Sequence, residues 1–132
     1  MNVLNLEETT NTPKVLLDPS NHKIEFEGDS RPEDVQQFFT PILDWLEDYE
    51  NLVSSVGSDT TITCKFQFDY FNSSSAKYVM DIISQLGEIK DSNEKINLEI
   101  NWHYDEMDED MLDAGKEFED MLEIKFNFVI SE

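Results

Sequence analysis

The 132-residue sequence holds one cysteine, Cys64, so it has no internal disulfide framework and no thiolate cluster for a metal. Its four glycines form neither G-x-x-x-x-G-K-[ST] nor G-x-G-x-x-G, which removes the two common phosphate-cradling loops. Basic residues are scarce: 9 Lys+Arg stand against 30 Asp+Glu, for a formal net charge of −21. Nucleic-acid binding needs clustered Lys/Arg to neutralise phosphates, and anionic lipid would repel so acidic a surface. No apolar run approaches the length of a membrane span, and the N-terminus lacks the basic-then-apolar layout of a signal peptide. The expectation is a soluble cytoplasmic protein with no cofactor, no metal, no nucleic-acid partner and no membrane insertion.

What is present is enough apolar material for one core. At 39% hydrophobic and 11% aromatic residues, the chain is too apolar for a disordered acidic tail, and its length fits a single domain over 1–132. Residues 1–11 read as a loose lead-in or a short edge strand. Pro13–Asp18 and Lys23–Glu27 flank the turn-rich Pro19-Ser20-Asn21-His22 and read as a hairpin. Ser30 and Glu33 have the spacing of a capping box, with Pro32 allowed in the first turn. Behind them Val35, Phe38, Phe39, Ile42, Leu43, Trp45, Leu46 and Tyr49 recur at helical spacing, with Pro41 expected to kink or restart the helix.

Thr60–Phe71 alternates as a strand, with Ile62, Cys64, Phe66, Phe68 and Tyr70 on one face. A second helix carries Val79, Met80, Ile82, Ile83 and Leu86, and its end, Gly87 to Lys95, is polar. Lys95–Tyr104 alternates again. Asp105–Leu122 reads as an acidic helix with Met107, Met111, Leu112, Phe118, Met121 and Leu122 on its apolar stripe. Ile124, Phe126, Phe128 and Ile130 give a last strand. The order β-β-α-β-α-β-α-β specifies one α/β domain, a mixed and largely parallel sheet packed with three helices.

Few residues offer chemistry. Cys64 lies mid-strand on the apolar face, which suits a buried small hydrophobe better than a reactive thiolate. His22 and His103 have no spacing that couples them to Cys64 or a serine and read as solvated, and no G-x-S-x-G elbow occurs. Asp105, Asp108, Asp110 and Asp113 suggest calcium, but Gly115 is misplaced and Met111-Leu112 interrupt the ligand run. These acids read instead as caps and first-turn charges of the third helix.

The exception is the junction Asp69-Tyr70-Phe71-Asn72-Ser73-Ser74-Ser75-Ala76-Lys77, where a strand passes directly into a helix. Hydroxyls there sit beside unpaired helix N–H groups and the positive end of the dipole, which accept a phosphate well. Phosphorylation would add about −1.5 to −2 charges, and a helix terminus returns ~0.3–1 kcal/mol per favourable charge. Physics alone favours the simpler assignment, with Asn72 or Ser73 as N-cap and the other serines filling the first turn.

The same segment, within an ordered set of motifs, resembles the SiaC-type family of small bacterial regulatory phosphoproteins, themselves similar to STAS-domain anti-sigma-factor antagonists. The set comprises Thr12-Pro13, Gly28-Asp29-Ser30 with Pro32-Glu33, Phe38-Phe39 with Pro41 and Trp45-Leu46. It continues with Tyr70 to Ser75, Lys77 and Asp81, then Trp102, Tyr104 and Asp105, so it spans nearly the whole domain. The resemblance implies a STAS-like fold and a non-enzymatic switch. It implies that a histidine-kinase-like Ser/Thr kinase phosphorylates the junction and a PP2C-type phosphatase reverses it. The unmodified form then activates a diguanylate cyclase, linking the protein to cyclic di-GMP and biofilm control. The family's phosphoacceptor threonine aligns with Ser73, with Ser74 in reserve, and Asn72, Ser75 and Lys77 fall on the partner-binding surface. Arg31 and Asp34 replace the family's usual Tyr and Asn.

Three other readings compete: a STAS-like antagonist acting on an anti-sigma kinase, an acidic Asp/Glu hydrolase and a nucleic-acid mimic. Residues 105–123 concentrate ten acidic residues against Lys116. That face reads as solvated, or as a dock for a basic surface.

Overall fold

The structure, a computed structural model, describes residues 1–131. Among these residues the elements run β1 (Leu4–Leu6), β2 (Lys14–Asp18), β3 (Lys23–Ser30), α1 (Val35–Val53), β4 (Thr60–Phe71), α2 (Ser73–Asp91), β5 (Ile96–Asp105), α3 (Glu109–Leu122) and β6 (Asn127–Ser131). The six strands form one sheet in sequential order. Strands β1 to β3 pair antiparallel, while β3 to β6 are parallel. Each right-handed crossover steps to the next strand in the same direction, so α1, α2 and α3 share one face. Burial follows that geometry: Ile24, Phe26, Cys64, Phe66, Ile100 and Trp102 lie beneath the helices, and Glu25, Lys65, Asn101 and His103 face the other way.

Aromatic packing joins strands to helices. Phe26 stacks on Phe66 at 5.3 Å between ring centroids, and Trp102 meets Phe66, Phe68, Phe71, Phe118 and Phe126. Burial of one such side chain contributes about 1.5–3 kcal/mol. The Trp102 Nε1–H donates to the Met111 carbonyl at 2.9 Å. A Cβ on Gly115 would lie 2.6 Å from the indole, so glycine permits the close approach of α3.

Several boundaries differ from the sequence expectation. Of the two alternatives for the lead-in, residues 4–6 take the edge strand. Ser30 and Glu33 form no capping box: Ser30 ends β3 and is buried, and Asp34 caps α1 by accepting from the Gln37 N–H at 3.0 Å. Pro32 disfavours helical backbone at Arg31, which delays the start. Of the two alternatives at Pro41, the restart does not occur: α1 runs unbroken from Val35 to Val53. Helix α2, by contrast, ends at Asp91, within the polar stretch 87–95 expected to close it; a Cβ on Gly87 would lie 2.7 Å from Ile124 Cδ1, so the glycine makes room for that neighbour.

Helix α3 begins at Glu109 because Asp105 ends β5, and its carboxylate accepts from the Met107 N–H in a tight turn at 2.8 Å. Met107 is therefore exposed, and Met121 lies off the buried stripe of Met111, Gly115 and Phe118. Ile124 and Phe126 precede β6 rather than belonging to it. The Phe126 N–H donates to Glu119 Oε2 at 2.7 Å, although its ring still packs on Trp102. Ile130, inside β6, is exposed. His22 is not simply solvated: in the left-handed region (φ 55°), its Nδ1 lies 2.6 Å from the Tyr49 hydroxyl.

Candidate functional site

The junction between β4 and α2 is shaped by a bulge one turn earlier. Gly28 pairs with Phe68, but Asp29 pairs with Tyr70, so Asp69 is the extra residue. Gly28 has φ +117°, a conformation that other residues rarely adopt. The bulge reverses the alternation: Tyr70, expected inside, is 49% exposed, while Phe71 turns inward and stacks on Phe118 at 6.0 Å. Tyr70 instead carries the Arg31 guanidinium 5.9 Å above its ring. Arg31 also stands 3.9 Å from Asp29, at the outer limit of an ion pair and half exposed.

Beyond the bulge the chain enters α2 under tight control. The Asn72 N–H donates to the Ser30 carbonyl at 3.0 Å, and Asn72 Oδ1 accepts from the Ser75 N–H at 2.9 Å. Asn72 is thus the N-cap, and Ser73 to Ser75 form the first turn. The three serines differ in access. Ser73 and Ser74 are exposed, whereas Ser75 is fully buried and its hydroxyl accepts from Ser30 Oγ at 2.8 Å. Ser73 and Ser74 N–H groups precede the helix's own hydrogen-bond ladder. Lys77 is exposed one turn along, with Nζ 5.8 Å from the Tyr78 ring, and Tyr78 stacks on Phe39 at 5.0 Å.

The surroundings are acidic. Partial burial, then the charges of Asp29, Glu27 and Asp105, raise the Asp69 carboxyl above its ordinary value. Among the described residues, no group of three or more His, Cys, Asp or Glu is arranged to hold a metal ion. The first turn of α2 carries no acidic residue, so nothing there offsets the positive end of its dipole.

An apolar groove of about 510 Å³ lies near Arg31, between β1 and the start of α1, with Leu4, Leu6, Pro32, Phe38 and Pro41 among its walls. Elsewhere, Cys64 is buried and free, and burial pushes its thiol well above the ordinary range. His103 lies on the polar sheet face, where partial burial and then Lys65 lower its basicity against a smaller opposing effect of Glu27. No helix of the described residues is long and apolar enough to cross a membrane.

The structure therefore gathers Asn72, Ser73, Ser74 and Lys77 on one accessible helix start and encloses Ser75 beneath it. Sequence reasoning missed Ser30 as the residue that anchors this turn and Arg31 as its neighbouring cation. A signal existed: Gly28 within an alternating strand marks a bulge, and the bulge sets which side chains emerge.

Comparison with known proteins agrees along the whole chain. The sequence model described as SiaC family regulatory phosphoprotein matches residues 6–131. An uncharacterized protein of Pseudomonas aeruginosa strain UCBPP-PA14 is 28% identical over 130 residues, 98% of this chain and 96% of that protein. Apo-SiaC from Pseudomonas aeruginosa superposes with a TM-score of 0.78 at 26% identity, covering 100% of both chains. The SiaC of that organism in complex with the diguanylate cyclase SiaD, whose activator it is, gives 0.81 at 26% identity, covering 97% of this chain and 99% of that one.

Proposed function

Since the chain belongs to the SiaC family of regulatory phosphoproteins, we propose that it is a non-enzymatic switch whose unphosphorylated form binds and activates a diguanylate cyclase. The observation that carries this reading is the whole-length likeness to a SiaC seen in complex with the cyclase it activates. The site suits the role. Ser73 is exposed at a helix start held by Asn72 and by the Ser30–Ser75 pair, and an apolar groove opens nearby.

Ser73 is the phosphoacceptor and Ser74 the reserve. A histidine-kinase-like Ser/Thr kinase transfers the γ-phosphoryl group of ATP to Ser73 Oγ; the hydroxyl proton leaves to a base and ADP departs. A PP2C-type phosphatase hydrolyses the ester, returning the serine and inorganic phosphate. Asn72 and Lys77 lie on the docking surface, and buried Ser75 supports it from below. A phosphate at Ser73 places about −1.5 to −2 charges and added bulk where an interface must be desolvated, so the complex dissociates.

Co-expression with the neighbouring kinase, followed by intact-mass measurement and peptide mapping, tests the assignment. Phosphate is expected at Ser73, and phosphate found only outside residues 73–75 refutes the site. Ser73→Ala is expected to bind the cyclase constitutively. Ser73→Asp should bind at least ~10-fold more weakly, about 1.4 kcal/mol, and equal binding by the two variants counts against the switch.

A further inference from the structure

Arg31 is the chain's one arginine, and it follows directly on Ser30, whose carbonyl accepts from the N–H of Asn72, the residue before the phosphoacceptor. Ser30 pairs with Phe71, and the Asn72 N–H bonds to the Ser30 carbonyl. The next residues along the two segments are Arg31 on one side and Ser73 on the other. Lys77 approaches from a second direction: it lies four residues after Ser73 on α2, hence on the same helix face one turn on. By register and helix spacing, two of the chain's nine cations thus belong to the segments that adjoin this serine, in a molecule with 30 acidic residues.

Neither cation is firmly engaged. Arg31 has a 3.9 Å contact to Asp29 and a 5.9 Å approach to the Tyr70 ring, and its side chain is 50% exposed. Among the described residues, Lys77 has a 5.8 Å approach to Tyr78 and no ion pair. Such exposed contacts hold a side chain weakly, whereas a phosphate offers arginine a bidentate, charge-assisted partner.

We propose that Arg31 and Lys77 form an intramolecular clamp that closes on the phosphate of phosphorylated Ser73. This rests on Ser73 being the phosphoacceptor. Two positive charges roughly balance the phosphate's −1.5 to −2, so these three groups together sum to near zero and both cations are withdrawn from the surface. The partner then loses the positive groups of the junction as well as meeting the phosphate. Arg31 is released from Asp29 and Tyr70 as the clamp closes, which uncovers the tyrosine ring.

Phosphoserine placed at position 73 by genetic-code expansion allows a test without any kinase. Because the chain has one arginine, its Nε–H gives one unambiguous resonance in a nitrogen–proton NMR spectrum. That resonance is expected to move downfield and exchange more slowly in the phosphorylated protein. In a phosphorus NMR titration the phosphate should lose its second proton below the ordinary value of about 6. Arg31→Gln and Lys77→Gln together should raise that midpoint by roughly 0.5–1 pH unit, an exposed-site share of the effect of neighbouring cations; the helix terminus is common to both proteins. An Arg31 resonance unmoved by phosphorylation, or a double variant that titrates like its parent, overturns the clamp. Failure of the switch itself reads differently: phosphoserine at 73 leaves cyclase binding unchanged, whatever Arg31 does.

Discussion

The hydroxyls of Ser30 and Ser75 lie 2.8 Å apart, both fully buried, and join the end of β3 to the first turn of α2 across 45 positions of sequence. A buried hydroxyl deprived of its partner costs about 1–3 kcal/mol. Ser30→Ala and Ser75→Ala should each destabilise by that amount in urea denaturation. The double variant should cost less than the sum, because it leaves neither hydroxyl unpaired. Additive losses would show that the two act separately.

Asn72 holds the same turn from above through its side chain. Replacing an N-cap by alanine costs about 0.5–2 kcal/mol. Asn72→Ala should lose stability in that range and speed amide exchange at Ser75 and Ala76, while Asn72→Asp, which also accepts from the Ser75 N–H, keeps most of both. Unchanged exchange in Asn72→Ala would argue that the cap plays no part in ordering the phosphoacceptor turn.

Gly115 packs directly against the Trp102 ring. A methyl there overfills a dense region, typically at ~1–3 kcal/mol, so Gly115→Ala should lower the melting temperature and alter the near-ultraviolet circular dichroism of Trp102. At Gly57 an added Cβ meets nothing within 4 Å. Gly57→Ala should remain within about 0.5 kcal/mol of the parent in the same experiment.

Asp69 predicts a pH dependence with a definite sign. Its folded pKa is raised from the ordinary value of 3.8, first by burial and then by Asp29, Glu27 and Asp105. The native state therefore holds this proton more tightly than the unfolded chain does, and the group's contribution to stability falls as pH rises through the interval between the two values. Asp69→Asn should accordingly be more stable than the parent at pH 7, with the difference shrinking as pH is lowered below about 4. Denaturation at pH 7 and pH 3 measures this, and a difference that grows on acidification contradicts it.

Strict alternation in Thr60–Phe71 and Lys95–Tyr104, and helical periodicity behind Val35, were enough to order the elements and to place Cys64, Phe66 and Trp102 in the core. Local pattern failed where a distant partner intervened. Ser30 looks like a cap from its own neighbours, and it becomes a strand end because Ser75 is there to meet it. Tyr70 reads as internal until the bulge at Asp69 reverses the strand.

Apolar periodicity and the distribution of charge determined by themselves that this protein is one acidic α/β domain, because burial of a periodic apolar face admits few arrangements. The motif order likewise brought the chain to its family and drew attention to Asn72–Lys77. Only the tertiary structure decided which of three consecutive serines is accessible and which is enclosed. It alone joined the turn at Ser30 and Arg31 to the start of α2 through the Asn72 N–H, since strand register and a bulge are properties of paired strands and leave little trace in either strand read alone.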